Sequence, residues 1–172
     1  MDELANTRLQ YEIDILKNLT HPNIVKLFEI YETPDALFLV MEYCEGVELF
    51  DEIIAKKYFE EAEAAKVLKQ LLQAIAYCHG QKIAHRDLKP ENILINISQG
   101  GSIKVIDFGT GHHMGAENEK KMTAQLGTAY YIAPEILSGE YNEKCDIWSI
   151  GVILYVMLCG AAPFTGTDEQ VL

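Results

Sequence analysis

The 172-residue chain predicts an α+β fold that is mostly helical, with a small strand-bearing part near its N-terminus. Apolar residues recur at spacings of three and four over residues 2–19 and 60–79, which is typical of helices that bury one face. Two β-branched, apolar segments, 24–31 and 36–43, flank a Thr-Pro-Asp turn, which is typical of an antiparallel pair of strands. A chain of this length can bury one core, so we expect a single domain.

The first helix is predicted over residues 2–19, where Ile13 and Leu16 share a face and charged residues fill the other positions. It should end before Pro22, because a proline disfavours helical conformation in the residue that precedes it. After the two strands, residues 48–56 are predicted to form a short helix.

The longest predicted helix covers residues 60–79, and Gly80 stands where a glycine often ends a helix in the left-handed conformation. Apolar residues at helical spacing define the face that we expect to be buried. Its members are Ala64, Leu68, Leu71, Leu72, Ile75 and Ala76.

Further strands are predicted at residues 93–95 and 103–106, joined by a Gly-Gly turn. Residues 110–126 are polar and predict a mobile loop. Residues 142–159 predict another long helix, which is apolar all round and is therefore expected to be buried on every side. The apolar run 147–162 is shorter than the ~20 residues needed to cross a bilayer, so no membrane span is predicted.

The chain is acidic, with 14 Lys and Arg residues against 26 Asp and Glu residues and a formal net charge of −12. This balance argues against a nucleic-acid partner, because phosphate binding needs clustered cations. It suits a cationic peptide substrate. The four cysteines form no CxxC pair and no secretory signal is recognisable, which predicts reduced thiols and a cytoplasmic location, with the nucleus as a second location.

Two motifs, HRDLKPEN and further along DFG, carry the chemistry. Asp87 can accept or orient the proton of an attacking hydroxyl group, and Lys89 places a cation near it. Asn92 and Asp107 offer the hard oxygen ligands that Mg²⁺ prefers. Phosphoryl transfer needs mainly positioning and charge neutralisation, and these side chains supply both.

These motifs resemble those of eukaryotic protein kinases, and the chain resembles the C-terminal-lobe half of such a domain. The resemblance implies a protein-kinase-like fold, with a truncated N-terminal lobe over residues 1–43 and the hinge and a mostly helical, incomplete C-terminal lobe over 44–172. It implies ATP and Mg²⁺ as cofactors, with Asp87 as the catalytic aspartate. Lys89 is the form typical of serine/threonine kinases, so the implied acceptor is a Ser or Thr hydroxyl group of a protein or peptide.

The resemblance also implies which residues surround the nucleotide. Met41 matches the gatekeeper beside the adenine pocket. Glu42 and Cys44 match hinge residues whose backbone groups contact adenine, and Leu49 and Leu94 match residues on the two faces of the ring.

Other matches imply contacts with the substrate. Glu48 and Glu91 match acidic residues that contact either ribose or basic residues ahead of the phosphoacceptor, which implies substrates containing Arg or Lys. Gly127 and Thr128, with Glu135 in the Ala-Pro-Glu sequence that follows, match the segment that docks the substrate.

Structural roles are implied for a third set. His85 and Phe108 match members of a stack of side chains that joins the two lobes, and Leu16 and Leu27 match its other layers. Asp146 matches the aspartate that anchors the backbone of the catalytic loop, where an unpaired carboxylate would be costly to bury.

The resemblance points to two levels of regulation. Arg86 can pair with a phosphate on the polar loop that follows DFG, and Thr123 is its best-placed phosphorylatable residue. The strings GTAYYIAPE and VMEYCEGVELF are close to those of the calcium- and calmodulin-dependent kinases. Members of that group often carry a calcium-sensing regulatory segment, which here would lie outside the chain.

Parts of a kinase domain have no counterpart in the sequence, which contains neither a glycine-rich phosphate loop nor a VAIK-type lysine. Glu12 matches the glutamate that pairs with that lysine, and the arginine partner of Glu135 would follow Leu172. We therefore expect an incomplete kinase domain whose upper lobe is poorly ordered or sticky unless a partner covers it. A catalytically incompetent interaction module is the alternative, and a small-molecule kinase is a weaker one.

Overall fold

The computed structural model describes residues 3–34, 36–115 and 122–167, with side chains from residue 9 onward. Its helices are α1 (Glu3–Asn18), α2 (Leu49–Lys56), α3 (Glu61–Gly80), α4 (Pro134–Leu137) and α5 (Lys144–Cys159). Its strands are β1 (Leu27–Glu32), β2 (Leu37–Met41), β3 (Val47–Glu48), β4 (Ile83–Ala84), β5 (Ile93–Asn96), β6 (Ser102–Val105) and β7 (His112–His113). The mostly helical α+β prediction is confirmed.

The upper part of the molecule consists of α1 and the antiparallel pair β1–β2, in which Leu27 lies opposite Met41. Phe28, Tyr31 and Phe38 are each about half exposed on this pair. Large apolar side chains of this strand pair therefore face outward in the described part of the chain, and the division into two lobes stays a prediction.

The lower part holds most of the core. β5 is the centre of an antiparallel sheet of order β3-β5-β6, and β4 pairs with β7. Side chains from α3 and α5, such as Leu71 and Ile153, join Phe108 in one buried cluster, to which Leu16 from α1 also belongs. The two parts of the molecule thus share a continuous core near the ends of β5 and β6.

The end of α3 differs from the prediction. Gly80 is the last helical residue and does not have a positive φ, and Gln81, which follows, has φ −85°. The left-handed conformation is taken by Lys82, with φ 61°. A turn can therefore reverse the chain two residues later than the glycine suggested.

The buried face of α3 is also shifted from the prediction. Leu72 is 39% exposed and Ala76 is exposed, whereas Val67, Ala74 and Cys78 are buried. Apolar spacing gives the period of a helical face, but the centre of that face is set by α5 and β6, which pack against the helix.

The loop predicted over residues 110–126 is partly ordered by pairing. His112 and His113 form β7, and the backbone of Met122 bridges to that of Tyr141. Residues 116–121 lie outside the described residues.

The prediction that α5 is buried on every side is wrong. Ile150 and Ile153 are buried, but Ile147, Trp148 and Tyr155 are 38–46% exposed. The exposed side chains line an open apolar cavity of about 540 Å³. No helix among the described residues is both long and apolar enough to span a membrane.

Candidate active site

The candidate site is built on the loop between β4 and β5, which carries the HRDLKPEN motif. Asp146 of α5, a fully buried carboxylate, holds the start of this loop. It accepts hydrogen bonds from the backbone N–H groups of His85 at 2.9 Å and Arg86 at 2.8 Å. Nε2 of His79, on α3, lies 2.8 Å from the same carboxylate. Hydrogen bonds to an ionised group are strong, so Asp146 fixes the loop to two helices.

Arg86 connects this loop to the segment after the DFG motif. Its backbone is left-handed, with φ 70°, which costs energy for a residue with a Cβ. Its Nε donates to the carbonyl oxygen of Thr110 at 2.7 Å, and Nη1 lies 3.4 Å from the hydroxyl of Tyr141. Tyr141 donates to the carbonyl oxygen of Ala124 at 2.6 Å. The exposed Thr123 adjoins this contact, and its regulatory role stays a prediction.

His85 is fully buried at the start of the HRDLKPEN loop. Its Nδ1 accepts a hydrogen bond from the backbone N–H of Asp87 at 3.3 Å, so Nε2 carries the proton and donates it toward the carbonyl oxygen of Ile106 at 3.3 Å. Burial lowers the pKa of His85, and the attraction of Asp146 opposes this effect. The neutral ring is therefore the form that fits both hydrogen bonds.

The residues matched to an interlobe stack lie in or beside one core. The rings of His85 and Phe108 are 4.8 Å apart, and Phe108 shares a buried cluster with Leu16. Leu27 packs against the same cluster. These contacts place the DFG segment against both parts of the molecule.

Two polar side chains, Lys89 and Thr128, hold the carboxylate of Asp87. Nζ of Lys89 lies 3.0 Å from Oδ2, and the hydroxyl of Thr128 donates to Oδ1 at 2.9 Å. Lys89 also donates to the Thr128 hydroxyl at 3.0 Å. This closed triangle fixes the direction of the carboxylate and places a positive charge next to it.

Asn92 completes the loop around Asp87. Its Nδ2 donates to the carbonyl oxygen of Asp87 at 2.8 Å and lies 3.3 Å from the carboxylate. Because both contacts use the nitrogen, Oδ1 is the atom that can ligate a metal. The carbonyl oxygen of Asn92 accepts a hydrogen bond from the N–H of Ile106 at 2.9 Å, which ties it to the residue before Asp107.

The charges around Asp107 fit a bound cation. Burial and, second, repulsion by Asp107 raise the pKa of Glu12. A Cβ on Gly109 would lie 3.1 Å from Oδ1 of Asp107 and 3.6 Å from Oε2 of Glu12, so both carboxylates approach the same point. Three or more His, Cys, Asp or Glu side chains that could hold a metal together do not occur among the described residues. A Mg²⁺ ion here would therefore take further oxygen ligands from phosphate and water.

The matched hinge residues connect β2 with β3, beginning at the exposed Met41. The N–H of Glu42 donates to the carbonyl oxygen of Lys26 at 2.8 Å, and its carboxylate pairs with Lys104 at 2.6 Å. The carbonyl group of Glu42 is then the backbone group that it can offer to a ligand. Burial and, second, Glu42 raise the pKa of the Cys44 thiol, so this thiol is protonated near neutral pH.

The structure corrects the expected position of Leu49. This side chain has no exposed surface and belongs to the core, so it cannot touch a bound ring in this conformation. Leu94 is partly buried and pairs with the exposed Glu48 across β3 and β5. Family matching assigned Leu49 to the pocket, but the residue opens α2 and points inward.

Glu91 carries a buried oxygen in need of a partner. Among the described residues, its Oε2 has no hydrogen-bond partner. Burial and, second, the charge of Glu91 raise the pKa of Tyr131 to about 12, which places the carboxylate near that ring. A cationic group bound here would stabilise the unpaired oxygen.

Gly127 lets Thr128 approach the loop that carries Asp87. It has φ 121°, and a Cβ at this position would lie 3.1 Å from the carbonyl oxygen of Arg86. Both features require glycine. Glu135 is the second residue of α4 and borders the apolar cavity beside α5.

Several residues that shape the site carry no recognisable signal in the sequence. His79, Tyr141 and Lys104 contact Asp146, Arg86 and Glu42 respectively. Each pair is separated by more than fifty positions, and no local pattern in the sequence marks such partners.

Comparisons with known proteins point to one family. A family model described as the protein kinase domain matches residues 1–172. The chain is 51% identical over 164 residues to calcium-dependent protein kinase 5 of Plasmodium berghei, covering 95% of the chain and 29% of that relative. It is 51% identical over 160 residues to calcium-dependent protein kinase 4 of Plasmodium falciparum, covering 92% of the chain and 30% of that relative. The chain thus spans less than a third of these curated relatives.

Proposed function

The chain belongs to the protein kinase domain family, and from this premise we propose that the whole protein transfers the γ-phosphoryl group of ATP to Ser or Thr hydroxyl groups of proteins. The observation that carries the proposal is the oriented carboxylate of Asp87. It is held between Lys89 and Thr128 and lies next to Asn92. Such an arrangement positions an attacking hydroxyl group and neutralises charge, which is most of what phosphoryl transfer needs.

Asp87 accepts or orients the proton of the substrate hydroxyl group. As the hydroxyl oxygen bonds to the γ-phosphorus, the bond from that phosphorus to the bridging oxygen breaks and ADP leaves. Lys89 places positive charge beside the transferred group. Asn92 Oδ1 and the Asp107 carboxylate would hold Mg²⁺, which when bound neutralises phosphate charge.

The proposal is tested with the full-length protein, Mg-ATP labelled in the γ-phosphoryl group and a basic peptide that contains Ser. Label on the peptide Ser supports the proposal. Label transferred only to small hydroxyl compounds would favour a small-molecule kinase. Nucleotide binding without any transfer would favour the interaction module, which the exposed apolar side chains of β1 and β2 make worth testing.

We infer that Glu91 selects substrates with Arg or Lys near the acceptor, because its buried oxygen offers a cation an unpaired acceptor. Replacing Glu91→Gln removes the charge at nearly constant volume. We expect the KM for a basic peptide to rise about tenfold, the equivalent of about 1.4 kcal/mol, since a hydrogen bond to a charged group is worth this order of energy. Steady-state kinetics with basic and neutral peptides measure the effect.

Glu61→Gln is the matched control, because Glu61 is exposed at the start of α3. This variant should leave the KM values for the basic and the neutral peptide unchanged. If Glu91→Gln raised the KM of the neutral peptide equally, the residue would serve the loop structure and not the recognition of a cation.

Control by calcium follows as a proposal from the names of the relatives, which are calcium-dependent protein kinases. A calcium-sensing segment would then lie outside this chain.

A phosphate on Thr123 would lie near the Tyr141 contact of Arg86, which supports the proposal that this loop responds to phosphorylation. The cytoplasmic location stays a prediction.

A further inference from the structure

Strand β6 ends at Val105, two residues before Asp107, so its position bears on where that carboxylate lies. In the sheet β3-β5-β6 it is an edge strand, with one side paired to β5. The N–H and C=O groups on the other side need partners, and an edge without them is poorly fixed.

The loop after α1 supplies partners at the end of β6. The N–H of Val105 donates to the carbonyl oxygen of Asn23 at 2.8 Å. The N–H of Val25 donates to the carbonyl oxygen of Val105 at 3.0 Å. Ile24 and Val105 therefore form a parallel bridge. This contact provides hydrogen-bond partners for Val105, the last residue of β6. The N–H and C=O groups of Ile103, two residues earlier, need other partners.

Side-chain amides satisfy the backbone of Ile103. Oε1 of Gln70, on α3, accepts hydrogen bonds from the N–H of Ile103 at 3.1 Å and from Nδ2 of Asn23 at 3.0 Å. Nδ2 of Asn23 also donates to the carbonyl oxygen of Ile103 at 3.0 Å. Nε2 of Gln70 donates to the carbonyl oxygens of Gly101 at 2.9 Å and Lys66 at 3.2 Å. One side chain thus joins α3, the loop after α1 and the edge of β6.

The residues at the end of β6 also contact the second candidate metal ligand, Asn92. Val105 is held from outside by Asn23 and Val25, and the next residue, Ile106, donates its N–H to the carbonyl oxygen of Asn92 at 2.9 Å. Asn92 and Asp107 are therefore positioned by the same stretch of backbone, from opposite sides.

We propose that Gln70 is a positioning residue for the Mg-nucleotide site, acting through β6 on Asp107 and Asn92. The inference rests on the proposed kinase function, in that it assigns Mg-nucleotide binding to these two ligands. Gln70 touches neither ligand, and its role is to hold the edge of the strand between them. Loss of groups that orient metal ligands without touching the metal typically lowers metal affinity or activity by about 10- to 100-fold.

The test uses Gln70→Leu in the full-length protein. Leucine has a similar size but accepts no hydrogen bond, so the N–H of Ile103 and the amide of Asn23 lose a partner. We expect the Mg²⁺ concentration that half-saturates binding of a fluorescent ATP analogue to rise about tenfold. Gln70→Glu keeps an acceptor for the N–H of Ile103 but loses the donor to Gly101 and Lys66, so it should recover part of this loss. Gln73→Leu, the same change at an exposed position of α3, should bind like the unchanged protein.

Hydrogen exchange separates positioning from general loosening of the fold. In Gln70→Leu, the amides of Ile103 and Val105 should exchange faster, while those of His85 and Arg86, which bond to Asp146, should keep their protection. Unchanged Mg²⁺ dependence in Gln70→Leu overturns the inference, and so does loss of protection at all four amides.

Because the test measures Mg-nucleotide binding and not phosphorylation, its outcome can be distinguished from that of the proposed function. If the unchanged protein binds the Mg-nucleotide but phosphorylates no peptide, the kinase proposal fails and the Gln70 variants still decide the role of that residue. If the unchanged protein binds no Mg-nucleotide, both proposals fail.

Discussion

Replacing Asp87→Asn in the full-length protein is expected to lower the rate of peptide phosphorylation by about 10² to 10⁴, the usual contribution of a positioned acid or base. Asn cannot accept the hydroxyl proton, and it loses the charge that pairs with Lys89 at 3.0 Å. The amide can still accept the Thr128 hydrogen bond, so the loop should keep its shape. Initial rates with saturating Mg-ATP and peptide measure the effect, together with nucleotide affinity, which should change little.

Asp51→Asn provides the matched control, because Asp51 lies exposed in the first turn of α2. Its rate should equal that of the unchanged protein. If Asp87→Asn retained full activity, Asp87 would not be the acid-base residue and the proposed mechanism would be wrong. A parallel loss of nucleotide binding would instead indicate that the substitution had disturbed Asn92, which bonds to the same residue.

The sequence predicts part of this site because the residues concerned stand in two short motifs, HRDLKPEN and DFG. Asp87, Lys89 and Asn92 occupy one loop before β5, and Asp107 comes shortly after β6, which pairs with β5, so the motifs and the predicted strand pair put them near one another. The structure brings the first three into direct contact. Their chemical roles stay predictions until variants are measured.

The parts that the sequence does not predict depend on distant partners. Thr128 reaches Asp87 across 41 positions, and Gln70 reaches Ile103 across 33. The first contact depends on how the segment of Gly127 folds back on the loop of Asp87, and the second on how α3 packs on β6, and no local pattern in the sequence contains either. Family matching placed Thr128 near the substrate but could not give its bond to Asp87.

Burial was the least predictable property of the helices. Leu72 and the outer side of α5, with Trp148 and Tyr155, were expected inside and are exposed. Leu49 was expected at the pocket surface and is buried. Apolar character alone cannot tell a core position from an uncovered one, because the free energy of burial depends on whether another element packs there.

Replacing Asp146→Asn is expected to lower the free energy of unfolding by about 2 to 4 kcal/mol, because hydrogen bonds to a buried charge are worth about 1.5 to 3 kcal/mol each. The carboxylate accepts from the N–H groups of His85 and Arg86. An Asn side chain can accept from one of them with its oxygen, but its NH₂ group would then face the other N–H donor. Urea unfolding of the full-length protein measures the loss.

Hydrogen exchange at single amides and peptide phosphorylation show which part of the structure the substitution affects. The amides of His85 and Arg86 should exchange faster in Asp146→Asn, and peptide phosphorylation should fall because Asp87 follows directly. Glu143→Gln, at the start of the same helix and without a capping hydrogen bond, should change stability by less than about 0.5 kcal/mol. His79→Leu removes one partner of the carboxylate but keeps both backbone bonds, so its cost should be smaller than that of Asp146→Asn. The opposite order would mean that the imidazole, and not the backbone of the catalytic loop, is the main partner of Asp146.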